Sequence, residues 1–352
     1  MSGEFERIHW IRDLLAGNEQ KNFLGPGDDA ASWAPPPGHT TVLSVDTQLE
    51  DIHFRRHWLS LEAIGQRAVS AAASDLAAMA AEPAGVLLSL SLPDDLTESE
   101  FKRLFKAFVK QARIYGLEIF GGNLSKGPLG LTTTVIGHAL SNKLVYRSGA
   151  QDGDSIFVTG HAGRSRLGRA LLERVPLERG SPVNGQEVTK CIEAFRDPVA
   201  RIPEALQISR SISLNSMIDT SDGVAPDLCR ILEESFPGKA PKEHSTSGGA
   251  VLDSSALAFL LEGKGATEPF SSLCQDMGLD PLETVLEGGE DFELLFITGV
   301  ENSEKVKKCS DDLKLPITKI GNIDSSVNGL NIVDAQGKRQ TWEERGFDHF
   351  MG

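Results

Sequence analysis

The sequence predicts a two-domain α/β (α+β) protein. Its 352 residues exceed what one hydrophobic core ordinarily serves, and β-branched runs alternate with alanine- and leucine-rich amphipathic stretches in both halves. A glycine-rich series of turns, Ser148-Gly-Ala-Gln-Asp-Gly-Asp154, marks the expected boundary, with domains over 1–150 and 151–352.

The elements follow in order. A short helix is expected over 4–16, then the turn Gly25-Pro-Gly-Asp-Asp29. Thr40–Asp46 is β-branched and partly alternating, a strand signature. Residues 60–81 read as an alanine-rich helix stopped by Pro83. Ala84–Leu92 is a second strand and Thr97–Tyr115 a second helix, with Leu104, Phe108 and Ala112 on one face and acids in its first turn. Strands are expected at Glu118–Phe120, with Gly121-Gly122-Asn123 following it, and at Leu131–Leu140. The second half predicts strand 155–159, helices near 164–174, 187–195 and 200–210, strand Ser216–Asp219, a helix from Val224 and strand Phe292–Thr298. Gly180–Gly185 and the Pro-, Gly- and Ser-rich 236–249 are expected loops, the second of them mobile.

Formal charge is −15. No basic patch suggests a nucleic-acid binder, and no apolar run is long enough to span a bilayer. The four cysteines lack metal-like or disulfide-framework spacing, and the acidic N-terminal stretch is no signal peptide. The expected location is the cytoplasm.

The informative pattern is where the acids fall. Asp29 follows Gly-Pro-Gly, Asp46 ends a strand, Asp219 and Asp222 flank a strand-to-helix turn, and Glu290 and Asp291 follow Gly288-Gly289. A lone Asp after glycine is ordinarily a turn residue or cap. Several converging carboxylates would raise one another's pKa unless cations neutralised them, and all-oxygen donors favour Mg²⁺ over zinc. Asp75 shares a helix face with Ala68, Ala71, Ala72, Leu76 and Met79. A carboxylate there is costly unless paired or metal-bound; capping a neighbouring loop is the other reading. Neither a P-loop nor a strand-following GxGxxG is present, so Gly121-Gly122 and Gly288-Gly289 are the candidates for backbone cradling of phosphate. His53 is either a substrate contact or a structural hydrogen-bonder.

Taken together, seven motifs in order resemble the thiamine-monophosphate kinases of the aminoimidazole-ribonucleotide synthetase-like superfamily: Gly25-Pro-Gly-Asp-Asp-Ala-Ala31, Ser44-Val-Asp-Thr47 with His53-Phe54, Ser74-Asp-Leu-Ala-Ala-Met79, Tyr146-Arg-Ser-Gly149, Ile218-Asp-Thr-Ser-Asp-Gly223, Gly288-Gly-Glu-Asp-Phe-Glu-Leu-Leu-Phe296 and Gly346-Phe-Asp-His-Phe350. The resemblance implies transfer of the ATP γ-phosphoryl group to thiamine monophosphate. It also implies a homodimer whose N-terminal domains form a β-barrel across the interface, and ATP in a cleft completed by the C-terminal domain. By position, Asp29, Ser44, Val45 (through its carbonyl), Asp46, Asp75, Asn123, Asp219 and Asp222 would be magnesium ligands. Gly122, Asn123, Arg147 and Ser221 would contact ATP, and His53, Glu290 and Phe347 the thiamine phosphate. No covalent nucleophile is implied. The chain departs from the family at Asn123, where an Asp is usual, and at Ala72, where an Asn is usual. Asn keeps a coordinating oxygen but loses a charge. Two other readings stay open: a superfamily enzyme with another acceptor, and a silent paralogue that binds nucleotide or thiamine phosphate.

Overall fold

The computed structural model describes residues 3–15, 23–174, 185–237, 248–263 and 270–342. Phe347 with its terminal motif, most of the 236–249 segment and nearly all of the 180–185 loop lie outside the described residues. The chain divides into two compact units, Met1–Leu76 with Ala81–Leu144, and Ala77–Ala80 with Val145–Gly352.

In the first unit the elements are α1 (Glu4–Leu15), β1 (Phe23–Leu24), β2 (Ser32–Trp33), β3 (His39–Leu49), α2 (Leu61–Ala78), β4 (Glu82–Leu92), α3 (Glu98–Ile114), β5 (Glu118–Lys126) and β6 (Gly130–Leu140). Among the described residues its main sheet has four strands in the order β3-β6-β4-β5. The β4–β5 pair is parallel, which requires a crossover, and α3 supplies it. Phe101, Leu104, Phe105, Phe108 and Ala112 form the buried stripe of α3, and each large side chain buried stabilises the unit by about 1.5–3 kcal/mol. A capping box between Thr97 and Glu100 starts the helix. Trp10 of α1 packs edge-on against Phe101 and Phe105, with ring centroids 5.7 and 6.0 Å apart. Helix α2 covers the same sheet face: Leu76 packs on Gly137 of β6, and the buried Arg67 donates to Gln48 of β3 at 3.3 Å. On the other face Leu43 and Val45 remain 65% and 60% exposed.

Two readings of the sequence are corrected here. Asp46 does not end a strand; β3 runs on to Leu49, paired residue by residue with β6 as far as Gly130. The strand expected to end at Phe120 runs on to Lys126, so Gly121-Gly122-Asn123 is the middle of β5. A register shift between Val86 and Leu87 leaves Phe120 without an opposite residue and pairs Gly121 with Leu87, and a Cβ on Gly122 would lie 2.0 Å from the Leu88 carbonyl oxygen. Close approach of β4 therefore demands glycine at that position.

The second unit contains β7 (Ser155–Thr159), α4 (Arg164–Arg174), α5 (Gln186–Arg196), α6 (Ile202–Ser211), β8 (Ser216–Asp219), α7 (Val224–Ser235), β9 (Gly249–Asp253), α8 (Ser254–Glu262), α9 (Phe270–Asp276), α10 (Pro281–Leu286), β10 (Leu294–Thr298), α11 (Ser303–Leu313), β11 (Ile317–Asp324), β12 (Gly329–Val333) and β13 (Arg339–Trp342). Its described strands form one sheet, β13-β12-β9-β11-β7-β10-β8. Every residue of β7, β8 and β10 is buried, as expected for near-continuous apolar strands covered on both faces. The strand expected from Phe292 starts at Leu294, because Phe292 adopts φ +52° and cannot join the ladder. The four cysteines are free thiols, and three of them are buried. No described helix is long and apolar enough to cross a membrane.

Candidate functional site

In the first unit, strand alternation aligns Ser44 and Asp46 on the β3 face that meets α2, about 7 Å apart along the strand. Asp75, half-buried on α2 beside the fully buried Ala72 and Leu76, accepts a 2.5 Å hydrogen bond from Ser44 Oγ. The structure thus joins two of the predicted ligands directly and puts a third on the same face. Asp46 also accepts from the Thr47 backbone N–H at 2.6 Å, which fixes its rotamer. Val45 lies between them on β3. Asp46 is opposite Thr133, Thr133 opposite Leu88, and Leu88 opposite Gly122. Gly122 is thus three strand spacings from Asp46, roughly 14 Å. Exposed Asn123 belongs to the next row, with Ser89, Thr132 and Thr47.

His53 closes the turn after β3. The Leu49 backbone N–H donates to its Nδ1 at 3.1 Å, so the ring proton sits on Nε2. Asp29 lies in an exposed turn, its N–H donating to the Asp28 carboxylate at 2.8 Å.

In the second unit the predicted residues gather at two joined turns. After β8 the chain turns through Thr220-Ser221-Asp222-Gly223 into α7. Before β10 it turns through Gly288-Gly289-Glu290-Asp291-Phe292-Glu293. The Glu290 N–H donates to the Ser221 carbonyl at 2.8 Å and the Phe292 N–H to the Thr220 carbonyl at 3.0 Å. In return the Thr220 N–H donates to the Glu293 carbonyl at 2.8 Å. Glu290 is held at φ +67°, a conformation that costs on the order of 1 kcal/mol or more and persists only when neighbours impose it. A Cβ on Gly289 would lie 2.5 Å from the Ser221 carbonyl oxygen, so glycine there is what lets the two turns touch. Arg147 is exposed on the segment whose Tyr146 carbonyl accepts from the Met217 N–H of β8 at 3.0 Å.

Asp227, Arg230, Arg201 and Glu293 of this unit were given no role in the reading of the sequence, and Asp291, noted there beside Glu290, proves to hold a neighbouring turn. Asp227, fully buried in the first turn of α7, accepts the N–H groups of Asp222 and Gly223 at 3.1 Å each. Burial, with the charges of Asp219 and Asp222, pushes its carboxyl up to about 8. Arg230 bridges Asp222 and Asp227. Asp291 accepts the N–H groups of Gly163 and Ser165 at 2.6 and 2.9 Å at the start of α4, and desolvation pushes its carboxyl up to about 7. Buried Glu293 accepts from Thr159 Oγ1 at 2.6 Å and from Arg201 at 2.8 and 2.5 Å. The one sequence signal available was Asp227, an acid in the first turn of a helix that follows Gly223.

The donors expected to hold metal in each unit are oxygens, which suits a hard divalent cation. Buried hydroxyls without a hydrogen-bond partner accompany them: Ser74 Oγ precedes Asp75, and Thr133 Oγ1 lies opposite Asp46. Donor chemistry therefore fits magnesium. Yet no group of three or more His, Cys, Asp or Glu among the described residues stands ready to hold a metal ion.

This fold and these acidic turns define a class. Residues 27–139 match the family described as AIR synthase related protein, N-terminal domain. The thiamine-monophosphate kinase of Bacillus subtilis (strain 168) is 32% identical over 352 residues, with 99% of each chain covered. A thiamine-monophosphate kinase crystal structure from Stenotrophomonas maltophilia K279a superposes with a TM-score of 0.75 at 26% identity, covering 93% of this chain and 94% of that one. A further structure, described as AaThiL complexed with AMPPCP and TMP, gives a TM-score of 0.71 at 28% identity and covers 99% and 97% of the two chains. The chain belongs to the thiamine-monophosphate kinase family.

Proposed function

We propose that this protein transfers the γ-phosphoryl group of ATP to thiamine monophosphate, forming thiamine diphosphate and ADP. One observation carries the reading: the likeness to thiamine-monophosphate kinases runs the full length of the chain, and a relative of the same fold has been captured with an ATP analogue and TMP, read here as thiamine monophosphate. Formation of thiamine diphosphate from the two substrates tests it; failure to form any, with ATP bound, rules it out and favours the silent-binder reading.

The acceptor is already an ionised phosphate, so no strong general base is required, and positioning and charge neutralisation carry phosphoryl transfer. We assign Asp29, Ser44, the Val45 carbonyl, Asp46, Asp75, Asn123, Asp219 and Asp222 to hold magnesium, which when bound neutralises phosphate charge. Gly122, Asn123, Arg147 and Ser221 are assigned to ATP, and His53, Glu290 and Phe347 to the thiamine phosphate. Two structural features support this assignment. Ser44 fixes the orientation of the Asp75 carboxylate, and the backbone bonds between the Ser221 and Glu290 turns tie a nucleotide contact to a substrate contact. Transfer is direct, without a phosphoenzyme.

Asn123 supplies an oxygen without a charge, so Asn123→Asp is expected to lower the magnesium concentration for half-maximal rate severalfold with little change in kcat. An unchanged magnesium profile would remove Asn123 from the metal set.

We further propose that the enzyme is a cytoplasmic homodimer in which the exposed sheet face bearing Leu43 and Val45 meets its copy. Leu43→Glu is expected to halve the molar mass in sedimentation; an unchanged mass would place the interface elsewhere.

A further inference from the structure

The turn carrying Asp219 and Asp222 contains a cation of its own. Arg230, in the middle of α7, donates from one guanidinium nitrogen to Asp222 Oδ2 and from another to Asp227 Oδ1 at 2.5 Å. The two carboxylates it spans differ. Asp227 is wholly buried, and its Oδ2 accepts the N–H groups of Asp222 and Gly223 at 3.1 Å each. Both its oxygens are therefore committed to holding the turn together. The Asp222 side chain is 33% exposed and that of Arg230 39%, so this half of the bridge faces solvent and can open without unpacking the helix.

We propose that Arg230 is a built-in counter-ion that holds Asp222 when no metal is bound and competes with the divalent cation for that carboxylate. The proposal rests on Asp222 being a metal ligand. Three acids in one short stretch repel one another in the absence of a cation, and a guanidinium placed across two of them supplies the missing positive charge, with two-point geometry that suits carboxylates. Metal binding at this turn then exchanges one cation for another. Arg230 releases Asp222 and stays on Asp227, which continues to cap the turn.

The experiment titrates Mg²⁺ alone into the full-length, metal-free protein by calorimetry and follows the thermal midpoint at each Mg²⁺ concentration. Arg230→Gln is expected to tighten Mg²⁺ binding by about tenfold, since a competing charge at ion-pair distance is removed. Its midpoint should lie below wild type without Mg²⁺ and close that gap as Mg²⁺ rises. Arg230→Lys keeps the charge but not the two-point bridge, and should fall between Gln and wild type; it serves as the working variant if Gln does not fold. Mg²⁺ affinity equal to or weaker than wild type in both variants would overturn the proposal. Asp222→Asn separates the two layers. If it leaves Mg²⁺ binding unchanged, Asp222 is not a ligand and the underlying assignment fails. If it weakens binding while Arg230→Gln does not tighten it, the counter-ion role alone is wrong.

Discussion

Asp75→Asn is expected to lower kcat by about 10²–10³-fold while leaving the thermal midpoint within a few degrees of wild type, the scale of loss seen when one preorganised electrostatic contact to a developing charge is removed. The argument begins with the helix. Ala72 and Leu76 beside Asp75 are fully buried, so α2 would pack as well or better with an apolar residue there. The half-buried carboxylate instead faces β3, where Ser44 Oγ donates to it at 2.5 Å and Asp46 shares the strand face. Asparagine has nearly the same shape and still accepts from Ser44, but carries no charge. If Asp75 only ties α2 to β3, activity should survive. If it neutralises a cation that serves the phosphates, rate falls and excess Mg²⁺ restores part of it. Steady-state rates across a Mg²⁺ series, paired with thermal melts, separate the two; near-wild-type kcat would make Asp75 a structural residue.

The second large effect is on stability. Arg201→Met is expected to destabilise the second unit by about 3–5 kcal/mol, because it strands a buried carboxylate without its partner. Glu293 is 5% exposed, receives two hydrogen bonds from Arg201 at 2.8 and 2.5 Å and one from Thr159 at 2.6 Å. Its carboxylate lies against Gly160, where an added Cβ would fall 1.9 Å from Oε1. The double variant Arg201→Met, Glu293→Met should recover a good part of the loss, since replacing a whole buried pair is far less damaging than breaking it. Glu293 also sits three residues after Glu290 on the turn bonded to Ser221, so the single variant should raise KM for thiamine monophosphate more than it lowers kcat. Denaturant unfolding of the three variants measures the coupling. A loss under about 1 kcal/mol for Arg201→Met would show the pair to be screened and unimportant.

What the sequence revealed and what it hid follow from the range of the interactions. Helices α2 and α3 were readable because their apolar spacing and the Thr97–Glu100 cap are local. The acidic turns were readable because glycines flank them. The course of β3 beyond Asp46 and of β5 beyond Phe120 was not. Each is set by partners elsewhere in the chain, Gly130 opposite Leu49 in one case and Leu88 opposite Gly122 in the other. The charged supports of the second unit were hidden for the same reason. Arg201 and Glu293 lie 92 positions apart, and neither residue type announces a partner at that distance. Asp227 and Arg230 were close to a recognised motif, yet only the fold shows that one arginine spans two aspartates.

The most direct test of the account is a single turnover with γ-labelled ATP, thiamine monophosphate and Mg²⁺, quenched at intervals and resolved into its labelled species. Direct transfer predicts that label leaves ATP and enters thiamine diphosphate one for one, with none on the protein at any time. Label appearing only as inorganic phosphate, or passing first through the protein, would contradict it.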